Sequence, residues 1–100
     1  MFVYSITKKF LIEEKFGITS QIRKSSCSVL ANIAEGNSRQ HKKNRYNFFN
    51  IAQGSLVETN CFIEICKELK YINQEEYEKA LELINKTAFL LWKTMSRENS

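Results

Sequence analysis

The sequence predicts an all-α fold, an up-down-up-down four-helix bundle with a shortened first helix, on three observations. Proline is absent and glycine occurs only three times, whereas a β-protein of this length needs turn residues about every ten positions. Apolar residues recur at three- and four-residue steps through most of the chain, the spacing of helices with one buried face. The breaks between these stretches are short, and short connections make successive helices antiparallel neighbours. A length of 100 residues, with 43% hydrophobic and 26% charged side chains, suits one domain spanning 1–100.

Residues 2–10 read as the last turns of a first helix, with Phe2 or Val3, then Ile6, then Phe10 on one face. Residues 11–18 read as a connector closing on Gly17. Thr19 then serves as N-cap of a second helix that runs to Glu35, with Gly36 as the residue just past its end. Ile22, Val29, Leu30, Ile33 and Ala34 are its apolar positions. Gln21, Ser25, Ser28, Asn32 and Glu35 form a polar stripe, which we read as an inter-helix hydrogen-bond network.

After a connector over 37–40, a third helix is predicted from about His41 to Leu69, roughly 42 Å long. Phe48, Ile51, Ala52, Ser55, Thr59, Phe62, Ile63, Cys66 and Leu69 trace one face, widened by Phe49 and Leu56. Gly54 inside it costs about 1 kcal/mol relative to alanine, which predicts a tight helix crossing there. Asn73 with Glu76 makes a capping box for a fourth helix, to about Ser96. Tyr77, Ala80, Leu81, Ile84, Thr87, Ala88, Leu91 and Met95 face inward. Leu83, Leu90 and Trp92 lie off that stripe and either form a second contact surface or close the bundle. The first helix is much shorter than the third. Either the chain begins late relative to its relatives, or partner subunits cover the strip it leaves exposed.

The net charge of +4 is unevenly spread: residues 1–50 hold nine basic and three acidic side chains, residues 51–100 six and eight. A helix N-terminus favours acids and disfavours bases. Glu75, Glu76 and Glu78 obey that rule at the start of the fourth helix, but two groups break it. Arg23 and Lys24 fall in the opening turns of the predicted second helix, and Arg39, Lys42, Lys43 and Arg45, with His41 among them, surround the start of the third. Cations beside unpaired backbone N–H groups suit a phosphate, which makes these six basic residues the candidate nucleic-acid contacts. The alternative is a solvated loop in which Arg39 pairs with Glu35. Tyr46, Phe48 and Phe49 follow the cluster and offer rings for base stacking, although Phe48 fits the core better.

No catalytic arrangement emerges. His41 is the single histidine and has no carboxylate partner in sequence. Cys27, Cys61 and Cys66 include no C-x-x-C pair, so neither a zinc cage nor a disulfide framework is expected. Glu13 and Glu14, adjacent on a connector, do not make an acid–base pair. No nucleotide-binding glycine loop occurs, and no cofactor or metal is expected. No apolar run reaches membrane length, and Lys8 and Lys9 interrupt the place of a signal peptide. A cytoplasmic protein with no membrane partner is the expectation.

The stretch from Thr19 to Gly36, with Asn32-Ile-Ala-Glu-Gly36 at its core, resembles the signature of the bacterial 23S rRNA intervening-sequence proteins, often labelled S23 ribosomal proteins. The likeness continues through Arg39, Phe49, Ala52, Gly54-Ser55 and Glu58 into Lys70-Tyr71-Ile72. Leu11 and Leu30 stand where relatives often carry proline. The resemblance implies a left-handed up-down bundle that assembles into a homo-oligomeric ring, often a pentamer, with Asn32, Glu35, Gly36, Gly54 and Glu58 as fold and assembly residues. It also implies kinship with the accessory variability determinant of diversity-generating retroelements, a basic pentamer that binds nucleic acid and a reverse transcriptase. The functional expectation is a non-enzymatic, self-associating protein that contacts RNA or DNA. A scaffold for a protein partner, with no nucleic-acid role, is the alternative.

Overall fold

The computed structural model describes the backbone of residues 2–98 and the side chains of residues 13–98. Three helices make up the described residues: α1 (Phe2–Ser38), α2 (Lys42–Glu68) and α3 (Gln74–Glu98). No strand occurs among them. The all-α prediction is met, but the four-helix count is not, because the predicted first and second helices are one. Leu11 to Phe16 contains no residue that stops a helix, and a single glycine at position 17 is tolerated at modest cost. Thr19 does not cap: its hydroxyl donates to the Lys15 carbonyl at 2.7 Å, one turn back in the same helix.

The C-terminal half of α1 packs antiparallel along α2, and α3 packs antiparallel along the other side of α2. The registers follow from Ser28 opposite Ser55, Ser25 opposite Thr59, Tyr77 opposite Glu64 and Glu98 opposite Arg45. Helices α1 and α3 therefore run parallel, flanking α2.

The α1–α2 seam is polar at its centre. Thr59 donates to the Ser25 hydroxyl at 2.8 Å, the Ser28 and Ser55 hydroxyls lie 2.8 Å apart, and the Asn32 amide donates to the Ser28 carbonyl at 2.8 Å. No described buried side-chain polar atom lacks a partner, as a polar seam requires if it is not to destabilise. Gln21 and Glu35, predicted for the same stripe, are exposed and stay outside the network.

The apolar core sits near the α1–α2 turn, where Phe49, Ala52, Leu91 and Met95 pack with Ile33 and Tyr46 against them. Phe49 is the largest fully buried side chain. The buried stripe of α2 follows Phe49, Ala52, Leu56, Thr59 and Cys66, rotated from the predicted face, so Ile51 and Leu69 are exposed. Gly36 explains the offset. It lies inside α1 and not past its end, and a Cβ there would fall 2.5 Å from Phe49 Cε1 and 3.2 Å from the Arg45 carbonyl oxygen. Glycine at 36 is what lets the Phe49 ring in. Gly54 behaves in the opposite way: nothing lies within 4 Å of its added Cβ, so the predicted tight crossing is absent.

Helix α2 ends with Lys70 in the left-handed region, at φ 61°, while the Leu69 and Tyr71 amides donate back to Ile65 and Cys66. The turn into α3 carries the predicted capping box: Glu76 N–H donates to Asn73 Oδ1 at 2.7 Å and Asn73 N–H to Glu76 Oε1 at 2.9 Å.

Candidate functional site

The six basic residues singled out from the sequence fall in two places. Arg23 and Lys24 are exposed in the middle of α1, not in the opening turns of a helix, because α1 begins much earlier. No helix terminus reinforces their charge. Lys24 lies about 22 Å along α1 from Arg39, so this chain does not bring the two groups together.

Arg39, Lys42, Lys43 and Arg45 gather at the α1–α2 turn with His41, which is exposed and precedes α2 with no side-chain capping bond. The two arginines are engaged within the chain. Arg39 pairs with Glu35 at 3.0 Å and lies 5.0 Å from the Phe48 ring centre. Arg45 grips the Glu98 carboxylate with two nitrogens, at 2.8 and 3.0 Å, and its third donates to the Arg39 and Gln40 carbonyls at 3.3 and 2.6 Å. The guanidinium thus ties the end of α1, the start of α2 and the end of α3 together. Glu98 titrates below the ordinary glutamate range chiefly because Arg45 hydrogen-bonds its charged form, with the charges of Arg45 and Lys42 helping.

The apparent conflict with the helix dipole is resolved by this geometry. Beside the first turn of α2 lie the last carbonyls of α1, the negative end of a helix, and Arg45 serves the carbonyls that follow it. Lys42 and Lys43 are different. Both are exposed, and neither forms a hydrogen bond or an ion pair with a described residue. Phe49 is fully buried and unavailable to a base, Tyr46 packs on the core, and Phe48 is partly covered by Arg39.

The motif residues also divide. Asn32 and Gly36 have roles within the chain, in the polar seam and beneath Phe49. Glu35 holds Arg39. Gly54 and Glu58 are exposed on the outer side of α2, on the same helical stripe as the exposed Ile51, Cys61 and Ile65. Sequence reading missed Glu98 and the structural use of Arg45, since 53 positions separate the pair.

A second exposed apolar surface is a groove between α1 and α3. Leu30 is 68% exposed on one wall, Leu83 57% and Leu90 55% on the other, with Leu56 and Phe49 in the floor. Two hollows of about 210 and 220 Å³ lie along it. Among the described residues no group of three acidic, histidine or cysteine side chains is placed to hold a metal. Cys66 is buried, and that burial pushes its thiol pKa up, which keeps it a thiol. No described helix is long and apolar enough to cross a membrane.

Comparison with known proteins gives this surface a family. The model of the 23S rRNA-intervening sequence proteins matches residues 1–93. The chain belongs to that family. Among solved structures, the chain is similar to a protein of unknown function from the S23 ribosomal protein family of Bacteroides thetaiotaomicron, at 31% identity and a TM-score of 0.79, covering 88% of this chain and 80% of that one. No curated protein matches. In this 23S rRNA-intervening sequence protein Arg39 and Arg45 are held by Glu35 and Glu98, whereas Lys42 and Lys43 at the turn and Arg23 and Lys24 along α1 are exposed.

Proposed function

We propose that this 23S rRNA-intervening sequence protein is a non-enzymatic, self-associating helical scaffold, in which the assembly, rather than the single chain, contacts nucleic acid. The observation that carries the reading is the exposed apolar surface. Leu30, Leu83 and Leu90 on one side and Ile51, Val57 and Ile65 on another are large, open side chains on a chain of only 100 residues. Apolar surface on this scale marks an interaction site. That Gly54 and Glu58 of the family motif lie on the outer stripe, where no contact within the chain uses them, supports an assembly role for that stripe. The ring of five implied by family resemblance, and with it the kinship to the retroelement accessory protein, belongs to this proposal.

Nucleic-acid contact is assigned to the exposed Lys42 and Lys43, whose side chains form no hydrogen bond or ion pair with a described residue, with Arg23 and Lys24 contributing a second stripe. Repeated around an oligomer, a few lysines per subunit add up to a strongly salt-dependent phosphate surface. The test is a gel-shift titration over a range of salt, with wild type against Lys42→Glu/Lys43→Glu. Binding by wild type that weakens with salt, and is lost in the variant, is expected. Equal binding by both overturns the nucleic-acid assignment.

A specific observation favours a second reading, a scaffold for a polypeptide partner. The two arginines best suited to phosphate are held by Glu35 and Glu98. In that case a partner is retained in pull-downs after nuclease and in moderate salt.

A further inference from the structure

We infer that the last turns of α3, with the start of α2 beside them, form a track for an unpaired strand of nucleic acid, in which Phe89 and Trp92 stack on bases and Lys86, Lys93 and Lys43 hold phosphates. The inference rests on the nucleic-acid contact proposed above and adds the class of strand and the residues that select it.

Charge marks this end of the molecule. From Gly36 to Val57 the sequence has no acidic residue and carries Arg39, Lys42, Lys43 and Arg45. From Leu83 to Arg97 it again has none and carries Lys86, Lys93 and Arg97. The fold lays the two acid-free stretches side by side, because Glu98 meets Arg45 and α3 runs back along α2. The acids that border them at the turn, Glu35 and Glu98, are each bound by an arginine. A positive field over this surface favours a polyanion.

Two large rings stand in the open within the second stretch. Phe89 is 58% and Trp92 61% exposed, with ring centres 6.1 Å apart and planes inclined by 35°. Lys86, Phe89 and Lys93 share an outward stripe of α3, three and four positions apart, on the side away from the buried Leu91 and Met95. Both lysines are exposed, and neither forms a hydrogen bond or an ion pair with a described residue. Protein interfaces are rich in aromatic residues but poor in lysine. Rings framed by exposed lysines suit a ligand with flat faces and regularly spaced negative charge, which a single strand provides.

The neighbouring crevice fits the same ligand. Asn85 and Ala88 line a hollow of about 240 Å³ between α2 and α3, with the amides of Gln53 and Asn60 on its other wall. The side-chain amides of Gln53, Asn60 and Asn85 form no hydrogen bond with another described residue, so their donors and acceptors are open to the edge of a base. Trp92 lies on the stripe of Asn85 and Ala88, one turn further on, and the Arg45–Glu98 register brings it level with residues 50–53 of α2. Lys43 lies on the stripe of Asn50, seven positions earlier in α2. Lys86, Lys93 and Lys43 thus follow one another at axial steps of about 10 Å. A duplex hides the faces of its bases, so rings placed here favour a strand whose bases are unpaired.

Trp92 is the single tryptophan of the chain, so its fluorescence reports on the track directly. The experiment titrates the full chain at low salt with an oligouridylate, an oligothymidylate and a mixed-sequence RNA duplex of the same length. Quenching of Trp92 fluorescence by either single strand, and none by the duplex, is the expected result; the tighter of the two strands tells RNA from DNA. Phe89→Ala and Trp92→Ala should each weaken single-strand binding in filter retention by about fivefold or more, with helicity unchanged because both rings are exposed. Trp92→Phe, which keeps a ring, should restore it. Lys86→Gln/Lys93→Gln should flatten the slope of log Kd against log salt by about 1.4. Binding that leaves Trp92 fluorescence unchanged, equal quenching by the duplex, or ring variants that bind like wild type overturns the inference and leaves the phosphate contact of Lys42 and Lys43 standing. Wild type that binds neither single strand nor duplex overturns both, and returns the rings to the polypeptide-partner reading.

Discussion

The two ends of this molecule are built to different standards. At the α1–α2 turn the chain packs most tightly: Phe49 and Ala52 are fully buried, Gly36 admits the Phe49 ring, and Arg45 clamps Glu98 across the end. Toward the other end the same three helices leave Leu30, Leu83 and Phe16 more than half exposed. Three helices bury a core where a large aromatic ring fills the centre. Where serine and threonine hydroxyls hold α1 to α2 instead, the groove between α1 and α3 keeps large apolar side chains in the open.

The contrast is open to attack, beginning with its closed end. Phe49→Ala should destabilise by about 3–5 kcal/mol, since it removes the largest fully buried side chain among the described residues; urea unfolding followed by circular dichroism reads it. A loss below about 1 kcal/mol would mean that the core is centred elsewhere. Gly36→Ala should cost about 1–3 kcal/mol by overpacking, because its Cβ would fall 2.5 Å from the Phe49 ring and 3.2 Å from the Arg45 carbonyl oxygen. The double variant Gly36→Ala/Phe49→Leu should recover part of that loss.

At the open end the sign reverses. Gly54→Ala should stabilise by about 0.5–1 kcal/mol, since the site is open and glycine weakens a helix interior. A gain that appears only at high dilution and is lost at high protein concentration would place Gly54 in the assembly interface proposed for its stripe. The smallest effect belongs to the clamp. Glu98 has its pKa lowered by Arg45, so its contribution is present at neutral pH and is lost as pH falls through its lowered folded value. Glu98→Gln should therefore be less stable than wild type at pH 7, and the two should converge in acid.

Much of the fold was legible in the sequence where the signal is local. The Asn73–Glu76 capping box spans three residues and formed as read. Ser25 and Ser28 of the predicted polar stripe found partners on α2 in Thr59 and Ser55, because hydroxyls at helical spacing on a buried face need them, while Asn32 bonds Ser28 within α1. The connector over 11–18 misled because glycine and threonine permit a break without enforcing one. Phe49 was set at the margin of its stripe because its burial depends on a hole at Gly36, thirteen positions earlier. Of the candidate site, its location at the α1–α2 turn was legible. The withdrawal of Arg45 into a clamp was not, because no local pattern announces Glu98.

The reading that the exposed apolar surface is covered by other copies of the chain can be tested through amide hydrogen exchange around Leu30 and across Leu83 to Leu90 at several protein concentrations. Protection that rises with concentration in both stretches together is the predicted result. Exchange that is the same at every concentration, whether fast throughout or slow throughout, would contradict it.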